Sequence, residues 1–339
     1  MCIRDRISRD AWAGVLGGFI ILLTSAVLEP ARQMRIDVLV TFFIMLAVYG
    51  LVRGFRQEKW FILFGVGVGL AILSKSVVGI FAILALPVFA CWRGEFSWCK
   101  NKYLWVGIAL GALLTLPWHI VELINYGEVF WNEYVRYTVE RRFEVELFNA
   151  QAPSNQDYVW YLVNFAAPWT QVLFFALLPI ALYWRSMSRP VRGAVGACIT
   201  MIVLILAVFF AAATKAPTYL VPLYPFAAVA IALVITHYIR SLPRAGKVVG
   251  SMVMVGLLCA AGSLTIYNGF HINPYFATTD QLSEEEKYIG HLVEVAPREL
   301  YAFGGFRELG SIMYYSYNPH PVMLTGATSL AAGDWVVMY

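Results

Sequence analysis

Lys75, Arg141, Arg142 and Lys215 are the side chains of this sequence best suited to holding an anion. A guanidinium grips two phosphate oxygens at once, and an ammonium acts as a compact point charge. Lys75 stands between two apolar runs in "GLAILSKSVVGIFA", where a tight turn needs polar residues but no cation. Lys215 lies in "TKAPTYLVPLYPF" with Pro217, Pro222 and Pro225. A lysine at mid-bilayer costs roughly 3 kcal/mol, and a proline inside a helix about as much. These costs make sense where distorted backbone lines a polar cavity rather than lipid. Tyr219 and Tyr224 then face that pocket or the membrane interface.

Other residues carry two readings. Asp37, in "RQMRID", either caps the helix that follows it, as the helix dipole favours, or binds an acceptor or orients a neighbouring cation. Trp118 and Trp169, each after a proline, are either interfacial anchors or part of the substrate site. His119 reads as a hydrogen-bonded interface residue rather than a ligand or base. Arg141 and Arg142 either contact phosphate or hold lipid head groups.

The elements that position these residues follow from composition. Of 339 residues, 60% are hydrophobic and 14% charged, with a mean hydropathy of +0.67. Soluble domains are about half apolar and a quarter charged, so the chain is a polytopic membrane protein. Nine apolar segments are long enough to suggest spans: about 11–29, 37–52, 60–74, 77–92, 104–122, 167–184, 193–213, 219–237 and 248–267. With the first end cytoplasmic, each of the five inner segments holds three Lys or Arg, beginning with Arg4, Arg6 and Arg9. That regularity fits the positive-inside rule and places the N-terminus inside and the C-terminus outside. The other ten cations oppose the rule. Seven of them (Arg32, Arg35, Lys75, Arg136, Arg141, Arg142 and Lys215) precede the tail and converge if the helices form a bundle. A converging set of cations predicts an anion site.

The transmembrane bundle is assigned to 1–267, with a long outer loop at 123–166. Aromatics at 130, 131, 134 and 137 predict a helix in the interface there. Residues 268–339 read as a small outer α/β domain. Ser283 and Glu286 form a capping box, "ELYAF", "PVMLT" and "WVVMY" read as strands, and "FRELGSIMYYS" as a helix. The five cysteines show no CxxC pair, so neither a metal site nor a disulfide framework is expected. The start "MCIRDR" resembles assembly adapter, and the last strand ends with the chain. An incomplete, N-terminally truncated sequence is therefore expected.

In order, "RQMRID" (32–37), "GLAILSKSVVGI" (69–80), "LPWHI" (116–120), "VERRF" (139–143), "AAPW" (166–169) and "TKAPTYLVPLYP" (214–225) resemble the dolichyl-phosphate-mannose protein mannosyltransferase family, including its lipid A aminoarabinose transferase branch. The resemblance implies a GT-C fold and inverting transfer of a sugar from a polyprenyl-phosphate donor. The acceptor would be a lipid, glycan or protein on the outer (periplasmic) face of the plasma (inner) membrane. It implies that Lys75, Arg142 and Lys215 bind the carrier phosphate and that the apolar groove holds the prenyl chain. No nucleotide takes part and no nucleic acid partner is expected; a divalent metal ion beside the donor stays open. The family's acidic general base has no match here, and it is expected upstream, leaving the fragment inactive. His119 stands where the family often has Tyr. The competing reading is a transporter or flippase for an anionic lipid, which uses a cationic cavity in the same way.

Overall fold

A run of three glycines, Gly65, Gly67 and Gly69, determines how the first half of the bundle packs. The computed structural model describes residues 11–32, 34–132, 134, 136, 159, 184–212, 217–267, 300–303, 322–323 and 335–338. Its helices are α1 (Ala11–Leu22), α2 (Ser25–Arg32), α3 (Ile36–Gly54), α4 (Phe61–Ser74), α5 (Ser76–Arg93), α6 (Lys102–Phe130), α7 (Arg189–Ala211), α8 (Leu223–Ser241) and α9 (Arg244–Tyr267). Of these, α3, α6, α7 and α8 are long and apolar enough to cross a membrane.

Helix α4 lies between α3 and α6 and touches both. At helical spacing Gly65 and Gly69 share one face while Gly67 points the other way. A β-carbon on Gly65 would collide with the Gly107 backbone, and one on Gly69 would sit 2.6 Å from the Gly111 Cα. On the opposite face a β-carbon on Gly67 would come within 2.7 Å of the Ala47 backbone nitrogen. Small residues let helix backbones approach closely where no hydrophobic force separates lipid from side chain. Thr115 continues the row of Gly107 and Gly111, and its hydroxyl lies 3.0 Å from the Gly69 carbonyl oxygen and 2.8 Å from that of Gly111. The α3–α4–α6 packing therefore rests on backbone contact, which leaves little freedom to slide.

The remaining helices bury larger side chains. Phe81 of α5 packs on Phe209 of α7, ring centroids 5.8 Å apart, and Ile44, Leu51, Leu104, Met201, Ile205, Phe226 and Ile231 are fully buried. Leu113, Ile124 and Met252 are largely exposed, as expected of surfaces that face hydrocarbon.

Three sequence expectations are corrected. The first apolar segment, 11–29, is not one span. It breaks at Leu23–Thr24 into α1 and α2, because "SAVLEPAR" carries Glu29, Pro30 and Arg32 and is too polar to continue a membrane helix. The eighth segment begins at Leu223 rather than 219: Pro217–Leu220 form a 3₁₀ turn, and Pro225 falls in the first helical turn, where its missing N–H costs nothing. Tyr224 does not face a polar pocket but is buried in the apolar core. The expected span at 167–184 lies almost wholly outside the described residues.

Residues 266–339 form a separate compact unit. Its described part is a parallel sheet of order β2–β1–β3, made of β1 (Leu300–Phe303), β2 (Val322–Met323) and β3 (Trp335–Met338). The register pairs Tyr301 with both Val322 and Val336. These are the three stretches read as strands. Parallel pairing requires crossover connections, and the two expected helices lie outside the described residues.

Candidate functional site

Lys75 is the only residue between α4 and α5, extended at φ −157° and ψ 92°. The turn is thus tighter than "SKS" suggested. Its N–H still bonds back to Ala71, and its carbonyl accepts from Gly79, so the backbone is satisfied while the side chain is free to point at a neighbour. That neighbour is Asp37 in the first turn of α3. Lys75 Nζ donates to Asp37 Oδ1 at 2.5 Å. The Asp37 side chain is 5% exposed and that of Lys75 20%. A buried carboxylate needs such a partner, since an isolated charge in low dielectric costs several kcal/mol.

Two more groups complete the cluster. Arg35, the N-cap residue of α3, places Nε 3.7 Å from Asp37 Oδ2 and keeps a side chain 48% exposed. Lys75 Nζ also stands 4.8 Å above the ring of Tyr219, which stacks on Phe209 at 5.4 Å. A cation over an aromatic face is held by the ring quadrupole. Asp37 lies in the first turn of α3, where the helix dipole favours it, but no side-chain cap hydrogen bond forms there, and its carboxylate accepts from Lys75. One carboxylate among two cations leaves a net positive charge.

A second cluster forms at the end of α6, where Gly127 at φ +47° turns the chain. His119 Nδ1 lies 2.8 Å from the Thr115 carbonyl and Nε2 2.9 Å from the Tyr134 hydroxyl. A carbonyl can only accept, so Nδ1 donates to it and Nε2 accepts from Tyr134 in the neutral ring. Trp118, Phe130 and Tyr134 enclose His119, with Phe130 stacked on Tyr134 at 4.9 Å. The pairing of 130 with 134 fits the helical spacing read from the sequence, and His119 is the hydrogen-bonded residue expected. Trp118 stays 42% exposed.

Among the predicted site residues the structure therefore joins Lys75, Asp37 and Tyr219, while Trp118 sits in the aromatic cluster. Arg141, Arg142, Trp169 and Lys215 lie outside the described residues. Two features escaped the sequence reading. Arg35 stands beside Asp37 at the start of this helix in the sequence, but the sequence assigns it no place in the site. Among the described residues the buried hydroxyl oxygen of Thr218 has no hydrogen-bond partner, and no sequence pattern announces that. Among the described residues no group of three or more His, Cys, Asp or Glu could hold a metal ion.

Residues 5–120, which include Asp37, Lys75 and Trp118, match the family profile described as dolichyl-phosphate-mannose-protein mannosyltransferase. The undecaprenyl phosphate-alpha-4-amino-4-deoxy-L-arabinose arabinosyl transferase of Enterobacter sp. (strain 638) is 26% identical over 305 residues, 85% of this chain and 52% of that protein. The chain thus spans about half the length of this relative. Two crystal structures of ArnT from Cupriavidus metallidurans share the fold at 16% identity: the form bound to undecaprenyl phosphate, with a TM-score of 0.68, and the apo form, with 0.63. They cover 94% of this chain and 68% and 67% of theirs. The resemblance to mannosyltransferases and aminoarabinose transferases read from the motifs is upheld, and the chain is a multi-pass helical membrane protein of the ArnT-like GT-C fold.

Proposed function

We propose that this protein takes part in inverting transfer of a sugar from a polyprenyl-phosphate carrier to a lipid, glycan or protein acceptor. The reaction takes place on the periplasmic side of the inner membrane. The observation that carries this reading is the junction of Asp37, Lys75 and Tyr219, drawn from three elements onto one end of a bundle shaped like ArnT.

In this mechanism the anomeric carbon loses its bond to the carrier phosphate while the acceptor hydroxyl oxygen attacks from the opposite face, giving up its proton to an acidic general base. The phosphate gains negative charge as it leaves. Lys75, with Arg142 and Lys215, stabilises that charge, and a preorganised cation is worth most where water is excluded. Asp37 is assigned to positioning: its oxygens face Lys75 and Arg35, so it holds the cation at a fixed place. The apolar bundle surface holds the prenyl chain, and Trp118, Trp169, Tyr219 and Arg141 line the substrate. The tail that carries the parallel sheet is assigned to the outer side as an α/β domain. Transport of an anionic lipid gains nothing from relatives named as transferases.

The test is sugar transfer from a defined polyprenyl-phosphate donor by the purified full-length protein. Lys75→Met, Arg142→Met and Lys215→Met should each reduce transfer strongly at equal folded concentration. If Lys75 and Arg142 grip one phosphate, the double variant should cost little more than the worse single change. Additivity within about 0.5 kcal/mol would make them independent lipid anchors, and full activity of Lys215→Met would return that residue to the interface.

A further inference from the structure

We propose that Arg35 is a phosphate-contacting residue of this site, supplying the positive charge that Lys75, paired with Asp37, cannot supply alone. The inference rests on the carrier-phosphate reading above and adds a residue to it. Lys75 is mostly buried and bonded to Asp37 Oδ1, so its charge is balanced in the resting protein. Arg35 stands at the longer distance of 3.7 Å from the other oxygen and is about half exposed. It is held loosely by Asp37 and open on its remaining side.

Energetics favour the same assignment. As N-cap residue of α3, Arg35 sits at the positive end of the helix dipole, where a cation is disfavoured. Its side chain offers α3 no cap in return, since a guanidinium has no acceptor. A residue that serves only the helix would be Ser, Asp or Asn. The positive end of α3, Arg35 and the Lys75 ammonium together outweigh the single Asp37 carboxylate, and an anion is what completes the balance. Among the described residues no second carboxylate is paired with either cation.

The ligand chemistry is a phosphate ester at the head of a lipid chain, which either a polyprenyl phosphate or a membrane phospholipid could provide. Binding is measured by ligand-induced thermal stabilisation of the purified full-length protein in detergent, with farnesyl phosphate, farnesol and phosphatidylglycerol as probes. We expect farnesyl phosphate to stabilise the wild type and farnesol to do so far less. Arg35→Gln should bind farnesyl phosphate roughly tenfold or more weakly, the loss expected for one charge-assisted hydrogen bond, and Arg35→Lys should recover part of it. Because Arg35 is exposed, the gap between wild type and Arg35→Gln should shrink between 0.1 and about 1 M salt, as the Debye length falls from about 10 to 3 Å. A purely structural role would lower the melting point of the unliganded variant and leave both affinity and its salt dependence unmoved.

Equal farnesyl phosphate affinity in wild type and Arg35→Gln overturns the assignment of Arg35 while leaving the carrier reading intact. No difference between farnesyl phosphate and farnesol on the wild type overturns the carrier reading itself. A loss in Arg35→Gln that is matched for phosphatidylglycerol shows a general head-group site and overturns the donor-specific assignment.

Discussion

Asp37 Oδ1 accepts a hydrogen bond from Lys75 Nζ at 2.5 Å, tying the first turn of α3 to the single residue that separates α4 from α5. The two lie 38 positions apart in sequence, and the glycine-mediated packing of α4 on α3 is what brings them together. The pair is mostly buried, so losing Lys75 leaves the buried Asp37 carboxylate only the half-exposed Arg35, 3.7 Å away. Lys75→Met should destabilise the protein by about 3 kcal/mol or more. Adding Asp37→Asn should restore much of that loss, because the charge that then remains, on Arg35, is half exposed to solvent. Chemical unfolding in detergent, run as a double-mutant cycle, measures the coupling. Additive losses would show that the pair does not act as a unit.

One substitution should have opposite effects at two glycines. Gly65→Ala pushes a methyl into the Gly107 backbone and should cost on the order of 1–3 kcal/mol. At Gly14 a β-carbon meets nothing within 4 Å, so Gly14→Ala should gain roughly 0.5–1 kcal/mol from helix propensity. Melting temperatures of the two variants decide it, and similar shifts for both would count against close α4–α6 contact.

The orphan hydroxyl of Thr218 gives a prediction of the less usual sign. A buried polar group without a partner costs about 1–3 kcal/mol, and an isosteric methyl removes that cost. Thr218→Val should therefore raise the stability of the unliganded protein, by about 1 kcal/mol. A variant that melts below the wild type would mean that the hydroxyl is satisfied.

Topology is testable with single cysteines in a background lacking Cys2, Cys91, Cys99, Cys198 and Cys259. An impermeant reagent added from outside should label a cysteine at Asn155 or Ser329 and miss one at Ser188, the N-cap residue of α7. Labelling at 188 from outside would reverse the orientation drawn from the Lys and Arg distribution.

Much of this protein was legible in its sequence, for reasons that are local or compositional. Apolar runs report helices because a membrane-spanning backbone must satisfy itself. Short β-branched and aromatic runs located Leu300–Phe303, Val322–Met323 and Trp335–Met338 as strands. The isolated lysine of "SKS" marked the joint between α4 and α5. What only the tertiary structure decided was which charges meet. Asp37 could have capped its own helix, and nothing within a few residues of it excludes that. The choice was made by Gly65, Gly67 and Gly69, which draw α4 against its neighbours and carry Lys75 to the carboxylate, and by the 3₁₀ turn that slides Tyr219 beneath it. The same packing decided the fate of two tyrosines five residues apart. Tyr219 faces a cation while Tyr224 is buried in the core, because the helix begins between them and rotates the second inward. Helix existence is set by neighbours along the chain; the partner of a charge is set by neighbours in space.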